Sequence, residues 1–219
     1  MRIVRTMMIV MVLAFAIATA GCGEQTWSFD FTTASDADLS AWYMDENPGA
    51  SSIAPDPVYW DLTPQGLLLS FYGATAPFAF PGDFTMTVAF SLDVDSTHQV
   101  YFECYPGDEQ AWEPDNYIMS AFDYVGLAGS EVWYVGDVDE QVLKGTGNIP
   151  GIVREGNNTW KIIKIGNSFE TWLNNSKISD FVATNSSSSS YYPTLYAEQL
   201  GGTIYFKSIT VEYKGSPVN

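Results

Sequence analysis

Histidine is almost absent: His98 stands alone, and there are two cysteines, Cys22 and Cys104. One imidazole and one spare thiol cannot supply the ligand set of a structural zinc site. A Ser-His-Asp arrangement would have to use His98, which reads as part of a turn at 95–98, and no G-x-S-x-G accompanies any serine. Basic residues are few, nine against 26 acids, which argues against nucleic acid and against adhesion to an anionic lipid surface. No Gly-rich phosphate loop, no repeat and no long amphipathic helix is present.

The one long apolar run is at the start. Arg2 and Arg5 precede it, residues 7–18 form it, and it ends in Thr19-Ala20-Gly21-Cys22. It is short for a bilayer span and has the build of a secretory signal. Small residues leading into a cysteine resemble a bacterial lipobox; an ordinary secretory signal is the alternative. We expect residues 1–21 to be removed, Cys22 to be lipidated, and 22–26 to be a tether. The protein is then extracytoplasmic and lipid-anchored to the envelope, in the outer membrane if the cell is Gram-negative, since Gly23 rather than Asp follows the cysteine. Without Arg2 and Arg5 the balance is 7 − 26 = −19 over 219 − 21 = 198 residues. A domain of that size buries about 70% of its unfolded surface and needs no disulfide. Cys104 alternates with Phe102 and reads as a buried, inert thiol.

Period-two alternation dominates the rest. Trp27, Phe29 and Phe31 mark a first strand, and 34–39 a brief helical turn capped by Ser35 or Asp36. Residues 47–64 carry Pro48, Pro55, Pro57 and Pro64 and read as loop. A strand at 66–72 follows, then a Pro/Gly-punctuated connection at 74–83. Residues 84–94 put Phe84, Met86, Val88, Phe90, Leu92 and Val94 on one face and small or polar residues on the other; a helix would scatter them. Further strands are expected at 100–105, 117–125 and 131–135, and loops at 145–156 and 185–190. Such short, regularly spaced strands imply an all-β, two-sheet antiparallel sandwich spanning 27–214, with 215–219 as a tail.

Residues 159–181, TWKIIKIGNSFETWLNNSKISDF, read as three strands joined by turns at Gly166-Asn167 and Asn174-Asn175. The pattern W-x-x-x-x-I-G-N-x-x-x-x-W-L-N resembles the late strands of the concanavalin A-like jelly-roll families. It is most similar to the laminin-G-like domains of the 3-keto-disaccharide hydrolase group. Leu195 to Gly202, LYAEQLGG, then Ile204 to Val211, IYFKSITV, match the end of those domains. The resemblance covers about the last 60 residues and implies a jelly roll with either glycan binding or glycan processing. A β-bulge is expected near Lys207-Ser208, where the apolar phase slips.

Candidate chemistry is sparse. The paired carboxylates of a glycosidase have no match; Asp137, Asp139 and Glu140 are the nearest set and read as an acidic loop. Asp93 and Asp95 form an i, i+2 pair near a strand end that suits Ca²⁺, and Asp108, Glu109, Glu113 and Asp115 form a second acidic group. The 33 aromatics (13 Phe, 13 Tyr, 7 Trp) are the stronger signal. Sugar C–H faces stack on such rings while polar neighbours bond the hydroxyls. Trp172, with Glu170 and Asn174 beside it, and Trp112, Trp133 and Tyr134 are the expected carbohydrate contacts. A carbohydrate-binding lipoprotein is the first expectation. The alternatives are a glycan-processing hydrolase and a structural lipoprotein that binds a protein.

Overall fold

The computed structural model describes residues 23–46, 60–70, 72–92, 97–106, 118–125, 131–137, 142–147, 149–183, 188–201 and 203–217. In chain order the strands are β1 (Glu24–Asp30), β2 (Tyr43–Glu46), β3 (Trp60–Thr63), β4 (Gly66–Leu69), β5 (Tyr72–Thr75), β6 (Phe80–Pro81), β7 (Phe84–Leu92) and β8 (Thr97–Pro106). They continue as β9 (Ile118–Val125), β10 (Glu131–Asp137), β11 (Val142–Gly147), β12 (Gly156–Ile165), β13 (Ser168–Leu173), β14 (Ser176–Val182), β15 (Ser190–Gly201) and β16 (Ile204–Lys214). Among the described residues the helical element is one 3-10 turn, Asp38–Ala41. Sheet A runs β14-β13-β12-β7-β16-β4-β3, with β1 also on β16; sheet B runs β11-β10-β9-β8-β15-β5-β2, with β6 also on β15. All pairings are antiparallel. The two sheets face each other as a jelly-roll sandwich of concanavalin A-like type.

Alternation drives this packing. In β7 the inward side chains Phe84, Met86, Val88, Phe90 and Leu92 are buried, while Thr85, Thr87, Ala89 and Ser91 are half-buried on the outer side. Sheet B answers with Val100, Phe102 and Cys104 of β8 and Leu195 and Ala197 of β15. The rings meet midway: Phe102 stacks on Trp160 at 4.8 Å and 12°, and Phe90 and Phe122 flank them. A polar link crosses the core, the Ser120 hydroxyl donating to Thr171 Oγ1 at 3.1 Å, with both residues buried. Near one edge Lys164 is buried; its ammonium donates to the Gly82 carbonyl at 2.8 Å and lies over the Tyr191 ring.

The meander has the expected form: β12, β13 and β14 pair in order, with turns at 166–167 and 174–175. Asn174 has φ 53°, the left-handed conformation that an asparagine tolerates. The bulge in β16 lies between Phe206 and Ser208. Gly66 lies against that strand with φ 133°, and a Cβ there would collide with the Phe206 carbonyl oxygen.

Several boundaries differ from the sequence reading. The stretch expected as one strand at 66–72 divides: β4 belongs to sheet A and β5 to sheet B, with Ser70 and Phe71 between them. The inward phase slips at the break, from Leu67 and Leu69 in β4 to Tyr72 and Ala74 in β5, so that both halves face the same core. β2 ends just before the span expected as loop at 47–64, β3 lies inside it, and β11 runs into the loop expected from 145 as far as Gly147; these are four- to six-residue segments whose pairing comes from neighbours. His98 lies in β8, opposite Tyr124 and Gln199, rather than in a turn. The 3-10 turn starts at Asp38, with Ala37 at its cap; Ser35 instead donates its hydroxyl to the Asp38 carboxylate at 2.7 Å. β1 starts at Glu24 opposite Lys214, so the sheet absorbs residues assigned to the tether.

Candidate functional site

Trp172 lies on the outer side of sheet A, opposite the buried Phe169, Thr171 and Leu173. Its indole N–H donates to Glu170 Oε2 at 3.2 Å, and the Lys161 ammonium sits 5.0 Å from the ring centroid. The other Glu170 oxygen takes a hydrogen bond from Lys177 at 2.8 Å, and Lys177 also reaches Asp180 at 3.0 Å. Lys177 and the Trp172 indole hold the Glu170 carboxyl below its ordinary range, and the same carboxylates raise Lys177. Asn174 is spent on the turn: its Oδ1 accepts from the Thr159 amide at 2.8 Å and its Nδ2 donates to the Gly151 carbonyl at 2.6 Å. The structure thus brings Trp172 and Glu170 together as expected. It commits their polar atoms to one another, and Asn174 to the backbone.

The outer side of sheet B is different. In β8, Val100, Phe102 and Cys104 point into the core, so Tyr101, Glu103 and Tyr105 take the other side. Pairing with β15 places Tyr192 opposite Tyr105, Thr194 opposite Glu103 and Tyr196 opposite Tyr101. On the other flank Met119 is opposite Glu103 and Ala121 opposite Tyr101. Four tyrosines therefore surround one carboxylate on a sheet face that, if simply solvated, would be polar. The Tyr105 hydroxyl donates to Glu103 Oε2 at 2.9 Å, and Tyr101 packs on Tyr196 with centroids 5.3 Å apart. Thr194 bonds Thr75 through their hydroxyls at 3.0 Å. Glu103 is only 3% exposed, and Tyr101 is the partly exposed member. The carboxylate also acts through the sheet: burial pushes the Cys104 thiol up to about 12, and the neighbouring Glu103 charge adds to the rise.

Sequence reasoning passed over this face because 100–105 reads as an ordinary return strand. The usable signal was that both phases of it are bulky, VYFECY, with a second such run, YYPTLYA, at 191–197. A strand with two non-polar faces is covered on both.

Among the described residues this face has Glu103 and three further acidic positions. The acids that share its register are Asp123 and Glu198, both opposite Gln99, and Asp45, opposite Gly73. Gln99 is four residues from Glu103, about 13 Å along the strand. Glycosidases place their two carboxyls at about 5–9.5 Å. Glu170 and Asp180 on sheet A are nearer each other, but both are exposed and bound to Lys177, and Glu170 is lowered where a general acid needs raising.

Among the other expected residues, Trp133 and Tyr134 lie in β10 opposite Phe122 and Ala121, and their side chains are outside the described ones. Asp137 closes β10 opposite Ile118. Cys22, Asp93, Asp95, Asp108, Glu109, Trp112, Glu113, Asp115, Asp139 and Glu140 lie outside the described residues. Among those described, no three His, Cys, Asp or Glu residues are grouped as metal ligands, and no helix is long and apolar enough to cross a membrane.

No family model and no curated protein matches the chain. Solved structures do. The endo-β-1,3-glucanase of Pyrococcus furiosus superposes with a TM-score of 0.62 at 10% identity, covering 87% of this chain and 94% of that one. The CBM2 module of the evolved Dit of Lactobacillus casei BL23 phage J-1 gives 0.60 at 12% identity, covering 88% and 98%. The carbohydrate binding module CBM66 from Bacillus subtilis gives 0.53 at 14% identity, covering 78% and 95%. At such identities the likeness is one of fold.

Proposed function

We propose that this chain is a carbohydrate-recognition domain held at the cell envelope by a lipid on Cys22, and that glycan binds on the tyrosine face of sheet B. The observation that carries the reading is Tyr101, the partly exposed ring packed on Tyr196 on the outer side of sheet B, with Tyr105, Tyr192 and Glu103 buried beside it. A flat, partly exposed ring stacks on the C–H face of a sugar, and the buried Tyr105–Glu103 and Thr75–Thr194 hydrogen bonds hold the strands beneath it in place. The similar folds include one named a carbohydrate binding module and one named a glucanase, which supports the class of ligand. The carboxylate spacing favours recognition over cleavage. Calcium at Asp93 and Asp95 belongs to the proposal as a loop-borne aid to binding.

The test is a glycan array probed with residues 23–219, with and without EDTA. Saturable retention of at least one glycan class is expected, with EDTA sensitivity if calcium takes part. Retention of none overturns the reading. Labelling of the full chain with radiolabelled palmitate in a bacterial host, lost in Cys22→Ala, tests the anchor.

A further inference from the structure

Six strands of sheet A share one end. The register runs there from Val182 of β14 to Ser168 of β13 and on to Ile165 of β12. From the adjoining Lys164 it continues through Phe84 and Tyr213 to Gln25 of β1, with Lys214 and Glu24 paired at the margin. Sheet B reaches the same end: Tyr191 pairs with Phe80 and Pro106, and its ring lies 5.4 Å from the Lys164 ammonium. Among the described residues the two most exposed large apolar side chains, Ile165 at 65% and Val182 at 63%, both stand here. Their neighbours Lys164, Phe169 and Phe181 turn inward, so they project from the outer side of sheet A, two strand spacings or about 10 Å apart. The turn between them is braced. The Gly166 amide donates to Asp83 Oδ1 at 2.7 Å, and the Ala183 amide donates to the Asn167 carbonyl at 2.9 Å. Only Gly23 separates Glu24 from Cys22, so the Cys22 Cα stays within about 7.6 Å of the Glu24 Cα. Ile165 is three strand spacings from Glu24, about 14 Å. The far end of β7, at Leu92, is eight residues or about 27 Å away.

We infer that this end of the sandwich docks on the lipid surface that holds the anchor, with Ile165 and Val182 seated at the headgroup and acyl boundary. The inference rests on the proposed lipid on Cys22 and names the surface that the domain meets there. The contact is apolar rather than electrostatic, because the acids nearby have local partners. Glu24 lies opposite Lys214, Asp83 is bonded to the Gly166 amide, and Glu170 and Asp180, further along the outer face, are both bound to Lys177. Two side chains bury too little apolar area to hold a soluble domain on a membrane. Tethering changes that, since a short link raises the effective concentration of a weak contact to about the millimolar range. In this posture Tyr101, five residues along β8 from Pro106, stands about 17 Å from the docked end. The tyrosine face is then upright on the membrane, and glycan reaches it from the side.

The experiment uses the full chain made in a bacterial host, checked for palmitate incorporation and reconstituted in phosphatidylcholine vesicles. With Cys22 lipidated and Cys104 buried, a single introduced cysteine is the one thiol open to a fluorescent label. The variants are Ile165→Cys, Val182→Cys and Val153→Cys. Val153 is also exposed but lies at the opposite end, its amide bonded to Asn158 and its side chain beside Gly156, which pairs with Leu92. Labels are quenched with aqueous iodide on vesicles and, for comparison, on residues 23–219 in buffer. Quenching at 165 and 182 should fall at least about threefold on the vesicles, while 153 should stay within about 1.5-fold of its value in buffer. The positions 165 and 182 report independently, so the test survives if one variant fails to fold. Equal quenching at all three positions, or protection at 153 alone, overturns the inference and leaves the anchor standing. A full chain that takes up no palmitate overturns the anchor reading and this inference with it.

Discussion

The Phe102 ring of sheet B lies flat on the Trp160 indole of sheet A, 4.8 Å between centroids and 12° from parallel. Both side chains are buried, and Phe90, Phe122 and Phe206 surround Phe102, so this contact joins the sheets at their centre. Phe102→Ala should lower stability by about 3–5 kcal/mol, from lost burial and the cavity left behind. Phe102→Leu should cost less. Urea unfolding followed by tryptophan fluorescence reads the difference. A loss under about 1 kcal/mol for the alanine variant would show that the sheets do not pack through this pair.

Gly66 lies beside the bulged part of β16 at φ 133°. Gly66→Ala needs a backbone conformation open essentially to glycine alone and brings a methyl group against the Phe206 carbonyl. A loss of at least about 1–3 kcal/mol is expected, the usual cost of one strained residue. Gly82→Ala makes a useful comparison: its φ is also positive, at 66°, but nothing lies within 4 Å of its Cβ. It should be the milder change in thermal melts.

Cys104 is fully buried and its thiol is pushed up from 9.0 to about 12, chiefly by burial. The native protein at about pH 8 should be inert to a thiol reagent and should react with one equivalent once unfolded in guanidinium. The folded state holds its proton more tightly than the unfolded chain. The associated stability is therefore present below about pH 9 and lost as pH rises from there toward 12. Prompt labelling without denaturant contradicts the placement of this thiol.

The Trp172 indole, Glu170 and Lys177 form a chain of hydrogen bonds on open surface. Glu170 is lowered first by Lys177 and then by Trp172. Its contribution is present above the ordinary carboxylate value and is lost as pH falls through the depressed one. The Trp172 indole N–H resonance, assigned through Trp172→Phe, should hold its position from neutral pH down through the normal carboxylate range and shift only below it. A shift centred at an ordinary glutamate value would mean that the chain of bonds does not persist in solution.

Legibility in the sequence followed burial pattern. β7 was readable to within two residues because one of its faces is core and the other is small and polar. The turn at Asn174 and the bulge before Ser208 were readable because each needs a particular local chemistry. The division of 66–75 between two sheets was not, since alternation carries no information about which sheet a strand joins. The short strands β2, β3 and β11 escaped because proline and glycine sit beside them and their pairing is non-local. The tyrosine face was hidden for a related reason. An alternation test seeks one apolar side, and β8 and β15 have two, so Tyr101, Glu103 and Tyr196 appeared as filler between Phe102 and Leu195. Trp172 attracted attention because it stood on a clean polar face. Its polar partners are bonded to each other, which no spacing rule reports.

The central claim is that glycan meets the tyrosine face of sheet B rather than the tryptophan on sheet A. Calorimetric titration of one array-selected glycan into wild type, Tyr101→Ala and Trp172→Ala tests it directly. The two residues lie on opposite outer faces, and each is partly exposed, so neither truncation empties the core. The account predicts that Tyr101→Ala weakens binding at least about tenfold, a loss of about 1.4 kcal/mol, while Trp172→Ala stays within about twofold of wild type. Binding abolished by Trp172→Ala and untouched by Tyr101→Ala would contradict it and move the site to the outer face of sheet A.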